Sequence, residues 1–202
     1  MTKHLFTALV AVVFYIAYLD NLAAAEPPKL IWPVECTLNE DCWLIQHPDV
    51  DPSDKFEDYA GFTRTYDGHT GVDIGVTDVA AIEWGYKVIA PADGSVLRVR
   101  DGMPDVAVTT AEAREAIMDQ ACGNAVVLKH DGGLETYICH MRQGSVVVKP
   151  GQIVKAGDPL GEVGMSGLAE FPHIELSARI DGVVVDPATG NALNKADAEM
   201  IT

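Results

Sequence analysis

Apolar and polar positions change rhythm three times along this chain. Residues 5–18 form a near-continuous apolar run. Residues 26–65 carry few apolar side chains, spaced between prolines and aspartates. From residue 66 onward, short apolar runs recur, each broken within a few positions by Gly, Pro or Asp. That last rhythm predicts short strands joined by tight turns. Residues 87–90 and 95–100 read as strands either side of Pro91-Ala92-Asp93-Gly94. Residues 124–130 and 134–140 flank Asp131-Gly132-Gly133 and read as a hairpin. Residues 145–148, 153–154 and 160–164 continue the series, and 174–180 with 183–185 close it as a last hairpin over Asp181-Gly182. In the sparse segment, 31–34 and 42–45 are two further candidate strands. One stretch differs. Thr109-Thr110-Ala111-Glu112 reads as a capping box, and Ala113, Ile117 and Met118 supply an apolar helix face. The expected fold is mainly β: a compact antiparallel β-sandwich or half-barrel with one short inserted helix and an extended N-terminal arm.

Composition changes the picture at the N-terminus first. Lys3 and His4 precede the apolar run, and Ala23-Ala24-Ala25 follows it with small residues in an A-x-A pattern. This reads as a secretory signal over 1–25, cleaved before Glu26. The run is shorter than the roughly 20 residues of a membrane span, so no span is expected after cleavage. The chain has 202 residues, and removing 1–25 leaves 177. The remainder divides into an arm at 26–65, a β-rich domain at 66–187 and a polar tail at 188–202.

Charge excludes some partners. Thirty Asp+Glu stand against 14 Lys+Arg, for a net charge of −16. Cleavage would remove one base, Lys3, and one acid, Asp20, so the balance persists. Nucleic-acid binding needs clustered Lys and Arg, and anionic lipid would repel this surface. Export also makes the cysteines readable as disulfides. Cys36, Cys42, Cys122 and Cys139 allow three connectivities. The pairs Cys36–Cys42, close in sequence, and Cys122–Cys139, flanking the strands of a hairpin, are favoured. No C-x-x-C pair suggests a zinc–cysteine site.

The candidate chemistry lies in three histidine-bearing strings. Tyr66-Asp67-Gly68-His69-Thr70-Gly71-Val72-Asp73 places a His and an Asp four apart around glycines, and both are standard zinc ligands. Taken alone, Asp-Gly-His is a common turn. Tyr137-Ile138-Cys139-His140 ends a strand. Phe171-Pro172-His173-Ile174-Glu175-Leu176 alternates, so His173 and Glu175 share one face and Ile174 and Leu176 the other.

In their order and spacing these strings, with Val163-Gly164-Met165-Ser166-Gly167 and Asp181-Gly182-Val183-Val184-Val185-Asp186-Pro187, resemble the lysostaphin/LytM-like zinc metallopeptidases, which have the duplicated hybrid motif fold. The resemblance covers roughly 66–187. The arm with Cys36 and Cys42 is similar to the lead segment of a proteobacterial exported branch, which implies a periplasmic or secreted protein. The resemblance implies Zn2+ held by His69, Asp73 and a third ligand, with His140 and His173 as catalytic histidines. It implies a metalloendopeptidase acting on the peptide of peptidoglycan. The third ligand in the family is a histidine, and here that position falls on Glu175. A shifted register, with His173 as ligand and Phe171 at the catalytic position, breaks the spacing on both sides. Zinc accepts carboxylate oxygen at about the same distance as imidazole nitrogen, so Glu175 is chemically competent. The competing implication is a degenerate, metal-free module that binds the wall or regulates another hydrolase. A weaker resemblance links 149–161 to the hairpin repeats of biotinyl/lipoyl carriers. It lacks their lysine-bearing turn, and an exported chain does not suit that role.

The remaining residues have plainer readings. His47 belongs to an acidic loop, and His130 is structural or supports a ligand. Trp32, Trp43 and Trp84 read as packing anchors, and Asn124 as a shaper of the groove floor.

Overall fold

The computed structural model describes residues 25–193. The signal segment, save Ala25, and the tail beyond residue 193 lie outside the described residues. Among the described residues, ten strands and two short helices follow in order: β1 (Cys42–Gln46), β2 (Gly71–Val76), α1 (Ala81–Trp84), β3 (Lys87–Ile89), β4 (Gly94–Arg100), α2 (Ala111–Ile117), β5 (Asn124–Lys129), β6 (Leu134–Met141), β7 (Ile153–Val154), β8 (Pro159–Glu162), β9 (His173–Ile180) and β10 (Val183–Val185). A 3-10 turn, Met118–Gln120, continues α2.

The strands form one large antiparallel sheet, ordered β1-β2-β9-β6-β5-β4-β7 with β10 beside β9, and a two-stranded ribbon of β3 and β8. The ribbon's Val88 and Leu160 join Ile74, Leu128, Ile138 and Ile174 of the large sheet in one buried cluster. Burying such side chains contributes roughly 1.5–3 kcal/mol each, and this layer sets which face of β2 and β9 points away from the core. Val72, Ile74 and Val76 of β2 face inward with Ile174 and Leu176 of β9. By alternation, Gly71, Asp73, Gly75, His173, Glu175 and Ser177 face outward.

Both hairpins form as the pattern predicts, as β5–β6 and β9–β10. Both disulfides, Cys36–Cys42 and Cys122–Cys139, are present. Other expectations are corrected. Residues 31–34 form no strand: they run along β3, with Ile31 N–H on Pro91 O at 2.8 Å, Ile89 N–H on Pro33 O at 2.9 Å and a single bridge from Val34 to Val88, and Pro33 has no N–H to extend the ladder. Residues 145–148 run along β8, with Val147 N–H on Leu160 O at 3.0 Å, but form no strand. A second helix, α1, is a single turn too short to show a period. The cap of α2 sits one residue later than the capping-box reading, since Thr110 accepts from Ala113 N–H. No residue of α2 is buried, so its apolar positions are not a core face. Trp84 is exposed, so it is no packing anchor, whereas Trp32 does pack on the core. The start of the tail is held down: Leu193 is buried and its N–H bonds to Val184 O.

Candidate metal centre

Register brings the centre together. Asp73 of β2 stands directly opposite Glu175 of β9, and Cys139 of β6 opposes Glu175 from the other side. His69 precedes β2 in a buried turn. Ligand atoms of His69, Asp73 and Glu175 all lie within 4.8 Å of one another. His173 begins β9, opposite Gly75.

His140 reaches the cluster by breaking strand geometry. Regular alternation would send it to the core side with Ile138. Its φ of 62° and a bulge in the β5–β6 register break that alternation. The His140 ring then lies 3.7 Å from Glu175 through Nε2 and 4.6 Å, centroid to centroid, from His173. A non-glycine residue held at such a φ costs about 1–3 kcal/mol and persists where its surroundings fix it. Here His140 N–H bonds to Cys122 O, and Cys122 is disulfide-bonded to the neighbouring Cys139.

All three rings are anchored alike. His69 Nδ1 lies 2.9 Å from His47 O, His140 Nδ1 2.8 Å from Ser166 O, and His173 Nδ1 2.8 Å from Phe171 O. A carbonyl oxygen only accepts, so each Nδ1 carries the proton. For His69 and His140 this leaves Nε2 facing the carboxylates, at 3.2 Å from Asp73 Oδ1 and 3.7 Å from Glu175.

The electrostatics separate the two catalytic candidates. Burial pulls His140 down, but contact with Glu175 and its charge outweigh that and raise it. Burial, helped by the charge of His140, lowers His173 to about 4. His69 is also opposed by burial, yet its hydrogen bond to Asp73 and the charges of Asp73 and Glu175 hold it at about 9. Burial pushes Glu175 upward, and the His140 and His69 rings overcome it and keep the carboxyl ionised.

The donor set fits zinc. Atoms bound to a tetrahedral zinc at about 2.0–2.2 Å stand roughly 3.3–3.6 Å apart. His69 Nε2 and Asp73 Oδ1 stand 3.2 Å apart. One imidazole and two carboxylates also match the hard-to-borderline ligands that zinc accepts.

A cleft of about 430 Å³ opens on the cluster. It is lined by Asp73 and His173 together with Gln46, Tyr66, Arg114 and Phe171. Tyr66 stacks on His69 at 4.5 Å, and the Phe171 ring lies tilted against His173 at 4.8 Å. Arg114 of α2 pairs with Glu170 at the rim. Gln46 lies opposite Asp73 in the β1–β2 pairing. Tyr66 and Phe171 belong to the histidine-bearing strings, whereas Gln46 comes from the arm and Arg114 from the inserted helix, and no local pattern announces those two.

The sequence-predicted residues His69, Asp73, His140, His173 and Glu175 all converge here. Phe171, the catalytic position of the shifted register, lines the cleft with its ring 4.8 Å from that of His173. His130 is elsewhere, between Asp93 O and the Thr136 hydroxyl. Asn124 ties Met103 to Met141 behind His140.

The Peptidase family M23 profile matches residues 67–187. The chain is therefore a member of Peptidase family M23. It is 31% identical over 121 residues to an uncharacterized metalloprotease of Haemophilus influenzae, covering 60% of this chain and 20% of that protein. It is 31% identical over 126 residues to the DD-carboxypeptidase/endopeptidase Mpg of Neisseria meningitidis, covering 62% of this chain and 23% of that protein. The chain thus spans between a fifth and a quarter of the length of these relatives. A structure of the SpoIIQ-SpoIIIAH pore-forming complex shares the fold at a TM-score of 0.56, with 17% identity over 83% of this chain and 93% of the other. Helicobacter pylori Csd3 matches at 0.50, with 18% identity over 84% of this chain and 37% of the other. Among the described residues, no helix is long and apolar enough to cross a membrane.

Proposed function

We propose that this chain is an exported, periplasmic or secreted zinc metalloendopeptidase that hydrolyses peptide cross-links of peptidoglycan. The observation that carries the reading is the convergence of His69, Asp73 and Glu175 within 4.8 Å, beside the adjoining rings of His140 and His173. In this reading His69, Asp73 and Glu175 hold the metal. Bound zinc supplies Lewis acidity, polarising a scissile carbonyl and acidifying water.

The histidines divide the proton work. His173 is neutral at ordinary pH, so it accepts a proton from the attacking water. His140, whose basicity the neighbouring Glu175 raises against its burial, donates to the developing oxyanion or to the leaving amine. Tyr66 and Phe171 wall the cleft and hold an extended peptide over the cluster. Family membership and the likeness to Mpg, a DD-carboxypeptidase/endopeptidase, support peptidoglycan peptide as the substrate.

Glu175 shapes the expected rate. Two carboxylates neutralise a divalent ion, so the metal is a weaker acid than with one. Metal analysis of the purified protein beside Glu175→His tests the reading. The expected result is close to one equivalent of zinc in each. Absence from both would sink the hydrolase reading. A muropeptide digest adds the activity arm: His140→Ala should give far less product than wild type.

A second reading has its own observation. Glu175 accepts from the Ser177 hydroxyl at 2.7 Å and pairs with His140. These contacts satisfy the carboxylate within the protein, as a degenerate module that binds wall or regulates another hydrolase would require. Such a module would bind peptidoglycan, yield no digest products and hold no zinc.

A further inference from the structure

His69 is gripped from the arm, outside the stretch that matches the family. His47 O takes the His69 Nδ1 proton at 2.9 Å. Two residues on, Asp49 N–H donates to His69 O at 2.8 Å. The Asp49 carboxylate accepts from Gly68 N–H at 3.1 Å through Oδ2. Its Oδ1 accepts from Asp51 N–H and from Glu57 N–H, each at 3.1 Å. The tripeptide His47-Pro48-Asp49 therefore holds the main chain on both sides of His69 and the ring itself. Pro48 fixes the backbone between the two contacts.

Asp49 is fully buried, with 0% exposure. A buried carboxylate is costly unless its oxygens are well supplied with donors. Three backbone N–H groups from separated positions, 51, 57 and 68, provide them. The same bonds fold the loop 49–57 against the turn 66–69, so the arm and the turn cannot separate without stranding this charge. Gly68, at φ 79°, supplies the turn that brings its own N–H to Asp49.

We infer that Asp49 is a positioning residue for the metal centre: through the Gly68 and His69 main chain it fixes where His69 Nε2 points, so the arm is a working part of the site. The inference rests on the zinc-site reading above. Partners of this kind, one shell behind the ligands, typically change metal affinity about 10–100-fold when removed.

The test uses the full mature chain. Zinc dissociation constants are measured by chelator competition for wild type, Asp49→Asn and Asp186→Asn. Asp186 is a comparably buried carboxylate whose bonds go to Ala188 N–H and the Thr189 hydroxyl. Asn keeps one acceptor oxygen and the shape of Asp49, so the fold survives. Expected are zinc binding weakened at least about tenfold in Asp49→Asn and little change in Asp186→Asn. A folded Asp49→Asn with wild-type affinity overturns the inference, and so does an equal loss in Asp186→Asn, which would mark general loosening. Nitrogen-15 NMR of metal-free protein gives a readout independent of zinc. The His69 Nδ1 resonance should carry the signature of its hydrogen bond to His47 O in wild type and show that bond weakened in Asp49→Asn. An unchanged Nδ1 resonance also overturns the inference. If wild type itself binds no zinc while the resonance shifts as expected, the metal reading fails and the positioning of His69 by Asp49 stands.

Discussion

Glu175 lies across Gly71: a methyl group at position 71 would stand 2.5 Å from Glu175 Cγ and 2.6 Å from its Oε1. The glycine is the space into which the carboxylate folds on its way to His69 and Asp73. Gly71→Ala therefore drives Glu175 off the cluster. Overpacking of this kind costs about 1–3 kcal/mol, measurable as a lower melting temperature. Zinc affinity should fall with it. A Gly71→Ala protein that melts lower yet binds zinc as tightly would show that Glu175 is no ligand.

Zinc binding should depend steeply on pH. Coordination needs neutral His69, and in the metal-free protein Asp73 and Glu175 hold that ring at about 9. Binding then expels a proton, so apparent affinity falls by up to about tenfold for each unit of pH below that value. Competition titrations between pH 6.5 and 8.5 should show the slope. Calorimetry in buffers of different ionisation enthalpy should count about one released proton. A flat profile would contradict the charge coupling described here.

The pair Cys122–Cys139 should matter more to activity than to folding. It closes 17 residues of separation and contributes about 2–4 kcal/mol by restricting the unfolded chain. It also fixes the carbonyl that holds His140 at its left-handed φ. The Cys122→Ser, Cys139→Ser double variant should remain folded at 25 °C by circular dichroism. Its kcat on cross-linked muropeptides should drop well beyond what the unfolded fraction explains, with KM little changed. Loss of kcat in proportion to unfolding alone would reduce the bridge to a staple.

Stability should decline with acid partly through His130. Burial lowers its pKa, and it donates to Asp93 O while accepting from Thr136. The folded state therefore binds fewer protons than the unfolded state below pH 6.5. Its contribution is complete above that pH and fades as pH falls toward the lowered folded value. Urea midpoints of wild type should drop over this window. His130→Gln should start lower at pH 7.5 and fall less steeply. Parallel curves would remove His130 from the acid response.

Much of the arrangement is readable in the sequence because β-structure writes a period of two. The alternation at 71–76 and 173–177 separates core from site residues, and the Gly-His-Thr-Gly-Val-Asp string marks the turn that carries His69. His140 is less readable as geometry, since the alternation assigns it to the core and only a positive φ corrects that. Asp49 is invisible to pattern. A buried aspartate in a Pro- and Asp-rich stretch looks like any solvated loop until its three donors, spread from 51 to 68, are placed around it. The exposed helix α2 misleads in the opposite sense. Its spacing suggests a buried face, but it is held by Thr110 at its cap and by Arg114 to Glu170.

Each of the three rings has its Nδ1 on a carbonyl of the main chain. Their aim is thus set first by the backbone and what holds it, as Asp49 does behind His69. Position 175 differs, because its side chain hangs from an ordinary strand position over a glycine hollow, with His140 and Ser177 as partners. Evolution can exchange the donor there, imidazole for carboxylate, while the other four groups keep their aim. If the proposed zinc site holds, residue 175 is a tuning position, where one side chain sets how strongly a metal is gripped and activated without rebuilding the scaffold.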